Sequence, residues 1–165
     1  MFNWYLFWKM VHLFSVVLWT GTTLGGYWFV LQGIQESKSL GYQTDKELWL
    51  RKKFIFLANL EHLAFLGIII SAFAMIWILK AGFFQISFIK WKLILFFSFL
   101  LPMEIIDVYL TNFLLAPVLR KKENLEKERL EKALKYHDRF YLVMTFLLPW
   151  IILAMFYLAV FKPSF

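Results

Sequence analysis

Four long apolar runs, separated by charged segments, dominate the pattern of hydrophobic and polar positions along the chain. They cover about residues 4–31, 54–79, 91–119 and 140–161. Each run exceeds the roughly 20 residues that an α-helix needs to cross the hydrocarbon core of a bilayer. Because lipid offers backbone groups no hydrogen-bond partners, such runs are helical. The pattern predicts an all-α protein, a bundle of four transmembrane helices that forms a single integral membrane domain over residues 1–165.

The charged segment between the third and fourth runs is also predicted to be helical. Residues 122–139 contain no Gly or Pro and are rich in Glu, Lys and Leu. Acidic and basic side chains four residues apart stabilise a helix, and the segment has three such pairs: Glu123–Lys127, Glu128–Lys132 and Glu131–Lys135. We expect a cytoplasmic helical extension that leads into the fourth transmembrane helix.

Basic residues divide unequally between the two ends of the predicted bundle. The loops after the first and third runs carry 13 of the 18 Lys and Arg residues, and the opposite end carries 5. Cytoplasmic loops of membrane proteins are enriched in such residues. The expected location is therefore the inner membrane of a bacterial-type cell, with several passes and both termini extracytoplasmic.

Composition supports a membrane protein and excludes several kinds of site. Hydrophobic residues make up 61% of the chain and aromatic residues 21%, well above a typical soluble domain. With no cysteine, disulfides, thiolate metal sites, iron–sulfur clusters and thioether-attached haem are excluded. The chain has no Walker loop, dinucleotide fingerprint, H-E-x-x-H or nucleophile elbow.

The net charge of +7 lies mainly in the loops beside the apolar runs. There it is suited to anionic lipid headgroups, so we expect no nucleic-acid partner. The expected partners are the lipid bilayer and either further copies of the chain, in a homo-oligomer, or the subunits of a larger membrane complex.

Ionisable side chains within the apolar runs are the strongest functional candidates, because charge is costly at membrane depth. They are His12, Glu61, His62, Glu104 and Asp107. At 100° per residue, Glu104 and Asp107 share one face of the third helix, whereas Glu61 and His62 point about 100° apart. We expect both carboxyl groups of the third helix to face the bundle interior, in a proton-handling or a structural role.

Helical periodicity gives the first helix two different faces. His12 shares one face with Trp8 and Trp19, so its imidazole would lie among flat apolar side chains. Gly21 and Gly25 form a G-x-x-x-G pattern on the opposite face. Such a pattern allows another helix to approach closely.

Depth along the helices separates the two intramembrane histidines. At about 1.5 Å per residue, His12 and His62 lie about 18 Å apart along the membrane normal. One haem iron therefore cannot be held by both. The spacing predicts an outer site around His12 and an inner polar layer made of Glu61, His62, Glu104, Asp107 and Asn112.

Several short stretches resemble the HemJ type of protoporphyrinogen oxidase and the related CopD-like membrane families. The stretch WKMVHLFSVVLWTG at residues 8–21 is similar to their first helix, which has a Lys-x-x-His pattern followed by a Trp and a Gly. Residues 91–93 (WKL) resemble the opening of the third HemJ helix. Leu148-Pro149 and Lys162-Pro163 resemble the start and the end of its last helix.

This resemblance implies a four-helix protein that binds haem b and oxidises protoporphyrinogen. It implies that His12 is the ligand of the haem iron, with Trp8 and Trp19 beside the cofactor, and that Lys92 is the catalytic lysine of the third helix. The chain departs from the family at two places. Residues 26–32 (GYWFVLQ) carry neither the family's Arg nor its His, and Phe146-Leu147 stands where the family has Asn-Glu.

Three functions remain open at this point. The first is a HemJ-like haem-binding oxidoreductase, which oxidises protoporphyrinogen or transfers electrons. The second is a non-enzymatic accessory subunit of a larger membrane complex, or a divergent relative that keeps only the scaffold. The third is a small transporter, which the carboxylates Glu104 and Asp107 favour. Copper(I) is a poor substrate for it, since the chain lacks Cys and any cluster of Met ligands.

Overall fold

A computed structural model describes residues 2–39, 45–80, 86–120 and 127–163, and within these ranges it contains helices and no β-strand. Four helices are long and apolar enough to cross a membrane. The prediction of an all-α chain with four such helices is therefore confirmed.

The four long helices are named α1 to α4 in chain order. α1 comprises the consecutive helical segments Trp4–Gly21, Thr22–Gly26 and Tyr27–Ser39. α2 is Asp45–Ile78, and α4 is Lys127–Phe161. α3 comprises five consecutive segments, which are Ser87–Leu95, Phe96–Leu100, Leu101–Val108, Tyr109–Leu115 and Ala116–Arg120.

The helices continue beyond the apolar runs that mark them in the sequence. α2 begins at Asp45, nine residues before the predicted span, and its first turn carries the acidic residues Asp45 and Glu47, which the positive helix N-terminus favours. Residues 127–139 are helical and continuous with the rest of α4, as predicted for the described part of the extension. Glu123 of the first predicted pair lies outside the described residues.

Three segments have π-helical geometry, and two of them have a local cause. In α3, Pro102 lacks the N–H that the carbonyl of Ser98 would otherwise accept, and the π segment Phe96–Leu100 lies just before it. In α1, the hydroxyls of Thr22 and Thr23 donate to backbone carbonyls of the preceding turn, at 2.8 and 2.6 Å. Such bonds bend helices.

Neighbouring helices run antiparallel. His12 near the start of α1 contacts Ser71 near the end of α2, and Gly33 near the end of α1 lies against Leu50 near the start of α2. The loop end of the bundle is defined here as the end where α2 and α4 begin, and the terminal end as the end where α1 and α3 begin. Between them lies a core of side chains from all four helices, including Trp19, Phe65, Leu100 and Ile152.

The outer surface of the bundle is apolar. Large hydrophobic side chains lie exposed on every helix, among them Phe14, Phe29, Trp77, Phe113 and Trp150. A soluble monomer rarely exposes so much apolar surface, whereas lipid tails solvate it. The surface therefore agrees with the apolar, membrane-compatible character of the four helices.

Close helix packing occurs at other glycines than the predicted pair. A Cβ added at Gly21 or Gly25 would meet no atom of the described chain within 4 Å. Within this part of the chain, no neighbouring helix packs against them. A Cβ added at Gly67 would instead lie 2.5 Å from the Ser15 hydroxyl oxygen, so α1 and α2 approach each other there.

We expect Gly67→Val to destabilise the protein by about 1–3 kcal/mol, because the added methyl groups would overpack the contact with Ser15. Gly21→Val is the matched control, since its side chain would enter open space. Thermal unfolding in detergent measures both variants. An equal loss of stability in the two would contradict the assignment of Gly67 to the helix contact.

Candidate functional site

Three carboxyl groups are buried near the middle of the bundle. Glu61 of α2 is 6% exposed, and Glu104 and Asp107 of α3 are 9% and 5% exposed. The burial of the two α3 residues agrees with the prediction that they face the interior. Each carboxyl group has its own hydrogen-bond partner. The partners differ in whether they donate a hydrogen bond to the carboxyl group or can accept one from it.

Glu61 is bonded to a threonine of α1. Its Oε1 lies 2.6 Å from Thr23 Oγ1, which also lies 2.6 Å from the backbone carbonyl of Trp19. The Thr23 hydroxyl has one proton and therefore donates to only one of these oxygens. Both contacts are satisfied when Thr23 donates to the carbonyl and a protonated Glu61 donates to Thr23. The geometry thus suits a neutral Glu61.

Asp107 has the opposite surroundings. Its Oδ1 accepts from Tyr141 Oη of α4 at 2.6 Å and from Thr111 Oγ1, one turn along α3, at 2.9 Å. Two hydroxyl donors on one oxygen stabilise an ionised carboxylate. The cluster therefore offers one environment for a protonated acid and one for an ionised acid.

Glu104 is bonded to the second intramembrane histidine. His62 Nδ1 lies 2.8 Å from Glu104 Oε1, while the buried His62 Nε2 has no partner among the described residues. Glu61 and His62 thus make contacts in different directions, towards α1 and α3, as their angular separation along the helix predicts.

A small cavity joins the three acids. Its volume is about 40 Å³, and its lining includes Glu61, Glu104, Asp107, Tyr141 and Trp19. One water molecule needs roughly 10–15 Å³, so the cavity has room for a few waters. The buried Trp19 Nε1 has no partner among the described residues. A water in the cavity would accept a hydrogen bond from this N–H.

His12, around which the outer site was expected, lies apart from this cavity. His12 Nδ1 lies 3.0 Å from Ser71 Oγ and 3.3 Å from the carbonyl of Ile68. Ser71 is nine residues beyond His62 on α2, or about 13 Å along the helix axis. The two imidazoles therefore lie at different levels, in agreement with the predicted separation.

The other predicted site residues are divided between the two regions. Lys92 lies near His12. The Trp8 ring packs on Phe7, with centroids 5.4 Å apart. Trp19 lies in the core and lines the acid cavity. Asn112 is half-buried in the π segment Tyr109–Leu115.

A buried ion-pair network at the loop end was not among the sequence predictions. Arg51 of α2 is 1% exposed and donates to both oxygens of Asp138 on α4, at 2.8 and 2.9 Å, and to Glu47 at 3.0 Å. Arg51 is one of the 13 basic residues counted in the loops, but it lies in a helix, because α2 begins before it. The Glu47–Arg51 spacing of four residues is the sequence signal that points to this pair.

His137 is a second residue that the sequence analysis passed over. It is 3% exposed, and neither ring nitrogen has a hydrogen-bond partner among the described residues. Its ring packs against Phe54 and Tyr141, with centroid distances of 5.2 and 4.6 Å. It lies between the acid cluster and the Arg51 network, in the segment predicted as a helical extension.

No family model, curated protein or solved structure matches the chain. The resemblance to HemJ therefore stays a prediction. Among the residues that the structure describes, no three or more His, Asp, Glu or Cys side chains are grouped as metal ligands. The acid cluster has the arrangement of separate protonatable groups around a shared cavity.

Proposed function

We propose that the chain is a multi-pass membrane protein that carries protons through the centre of its bundle, with Glu61, Glu104 and Asp107 as the proton-carrying groups. One observation supports this above all: three buried carboxyl groups with unequal hydrogen bonding line one water-sized cavity. Intramembrane acids of this kind mark proton relays and ion pathways.

Protons suit this site better than metal ions do. The three carboxyl groups are held by a threonine, an imidazole and a pair of hydroxyls. Binding a metal ion would break these separate bonds, whereas a proton can move among them through water. The proposal gives Glu61 the role of proton holder and Asp107 the role of proton acceptor.

Polar groups also continue from the cluster towards the loop end. Tyr141, bonded to Asp107, packs against His137 one turn earlier on α4, and the next residue, Asp138, is bonded to Arg51. At the level of the cluster itself, Glu104 is bonded to His62. The proposed route for protons between the cavity and the loop end therefore follows α4.

Proton flux into liposomes tests this function. Vesicles that contain the purified protein, a potassium gradient, valinomycin and an internal pH dye should acidify faster than protein-free vesicles. Glu61→Gln should lower the rate by about tenfold or more, since general acid–base groups contribute at least that much. Glu128→Gln, at an exposed acid, is the control. Flux equal to that of protein-free vesicles would reject the proposal.

The proposal includes the orientation in a bacterial-type inner membrane. Apart from the buried Arg51, 12 basic residues lie on the loop side and 5 on the other side. We therefore place the loop end in the cytoplasm and both termini outside. Single cysteines at the exposed positions Lys132 and Lys90 report this orientation. An impermeant thiol reagent added to intact cells should label Lys90→Cys and spare Lys132→Cys, and the reverse pattern would overturn the orientation.

A second candidate function, a HemJ-like haem protein, is favoured by the bonding of His12. The Ser71 hydroxyl donates to the carbonyl of Gly67, so His12 Nδ1–H donates to Ser71. In this tautomer Nδ1 carries the proton and Nε2 has a free lone pair, which is the usual arrangement of a metal-bound histidine. Haem b, when bound there, would supply the redox chemistry, and Lys92 would lie nearby. The acid cavity is too small for this cofactor, since ligand pockets span roughly 300–1,000 Å³.

Absorption spectra distinguish the two candidates. If haem is bound, the purified protein has a Soret band that His12→Ala removes or shifts and His62→Ala retains. A spectrum that needs both histidines would contradict the ligand assignment. Rescue of cells that lack their protoporphyrinogen oxidase would support the enzyme. A colourless, correctly inserted protein that fails to rescue would favour the proton-carrying function or an accessory subunit of a larger complex.

A further inference from the structure

Two lysine ammonium groups lie near the same phenyl ring at the terminal end of the bundle, outside the acid cluster. Lys92 Nζ of α3 is 5.7 Å from the centroid of the Phe88 ring, and Lys162 Nζ, just past the end of α4, is 6.0 Å from it. The two charges are close enough to interact. Lys92 is half-buried and Lys162 is exposed.

No carboxylate of the described chain forms an ion pair with either lysine. The titratable group next to Lys92 is another base, His12, and not an acid. Like charges held together repel each other, and a cation–π contact with one phenyl ring compensates only part of that repulsion. An anion that binds both ammonium groups would stabilise such a pair.

We propose that Lys92 and Lys162 bind the phosphate of an anionic membrane lipid. Lysine binds phosphate as a compact point charge. Both residues lie where the apolar helices begin or end, which is the level of lipid headgroups. The exposed apolar side chains of Trp91 and Phe161 flank them, so the acyl chains of a bound lipid have a surface to lie on. The site is independent of the proton route and would exist without it.

Native mass spectrometry of the detergent-solubilised full chain tests this site. Phosphatidylglycerol and, separately, phosphatidylcholine are titrated into the protein. Anionic lipid should bind more tightly than the zwitterionic lipid. Lys92→Gln/Lys162→Gln should weaken its first binding step by roughly 30-fold, which is the contribution of two lysines near charged headgroups. Lys80→Gln/Lys90→Gln, which removes two exposed charges from the same end, should leave that step unchanged.

Three outcomes would overturn the proposal. Equal binding of the two lipids would exclude an anion site, and equal weakening by both pairs of substitutions would show a general charge effect. Displacement of the lipid by inorganic phosphate at equal concentration would show that free phosphate, not lipid, is the ligand. Lys92→Arg/Lys162→Arg keeps both charges and should retain binding, which separates loss of the site from loss of the fold.

Discussion

Asp107→Asn is expected to reduce proton flux through the reconstituted protein by roughly 100-fold, within the range that a positioned acid or base contributes to proton transfer. The amide keeps the size of the side chain and an oxygen for Tyr141 and Thr111. It cannot take up a proton in the relay. The loss should therefore appear in the liposome rate while the helix content is kept.

Asp45→Asn is the matched control, because Asp45 is exposed at the start of α2. Thr111→Val gives a graded comparison, since it removes one donor to Asp107 and keeps the carboxylate. We expect its flux to fall between those of the wild type and Asp107→Asn. Wild-type flux in a folded, inserted Asp107→Asn protein would exclude Asp107 from the route.

Arg51→Met is expected to lower the free energy of unfolding by about 3–5 kcal/mol, the usual result of removing one partner from a buried ion pair. Arg51 is 1% exposed and binds both Glu47 and Asp138. Without the guanidinium, the buried Glu47 carboxylate loses its ion pair with Arg51. Unfolding in detergent, followed by tryptophan fluorescence, measures the change.

Lys52→Met, at the exposed neighbouring position, should change stability by less than about 0.5 kcal/mol. Replacing Glu47 and Asp138 by Leu in the Arg51→Met background should recover most of the loss, since well-packed apolar groups often substitute for a buried ion network. A small effect of Arg51→Met, equal to that of Lys52→Met, would contradict the buried network.

Hydropathy alone was sufficient to predict the four helices but not their ends. An apolar run that is long enough to span the bilayer is stable as an α-helix, because its backbone groups must bond to one another. The run itself therefore identifies the helix. The first turns of α2 are amphipathic and charged, and nothing in hydropathy distinguishes a solvated loop from a helix packed on α4. Arg51 shows the consequence, since it counts as a loop charge by sequence and lies buried in an ion pair in the structure.

The candidate site was predictable in its residue types and less so in its bonds. Because a charged side chain is costly at membrane depth, the sequence alone identifies Glu61, Glu104 and Asp107 as candidate functional residues. Their partners depend on how each helix is rotated, and the π segments of α1 and α3 change that rotation near Thr23 and Thr111. Tyr141 and His137 depend on the packing of α4 against α2, which regular 100° periodicity cannot supply.

Infrared difference spectroscopy tests the central claim most directly, namely that the buried cluster holds a proton that exchanges with water. The wild-type protein should show the carbonyl band of a protonated carboxylic acid near neutral pH, and the band should shift in D2O. Glu61→Gln should remove it, because Glu61 is the acid whose bond to Thr23 suits the protonated form. A wild-type protein without this band, or a band that Glu61→Gln leaves unchanged, would contradict the account.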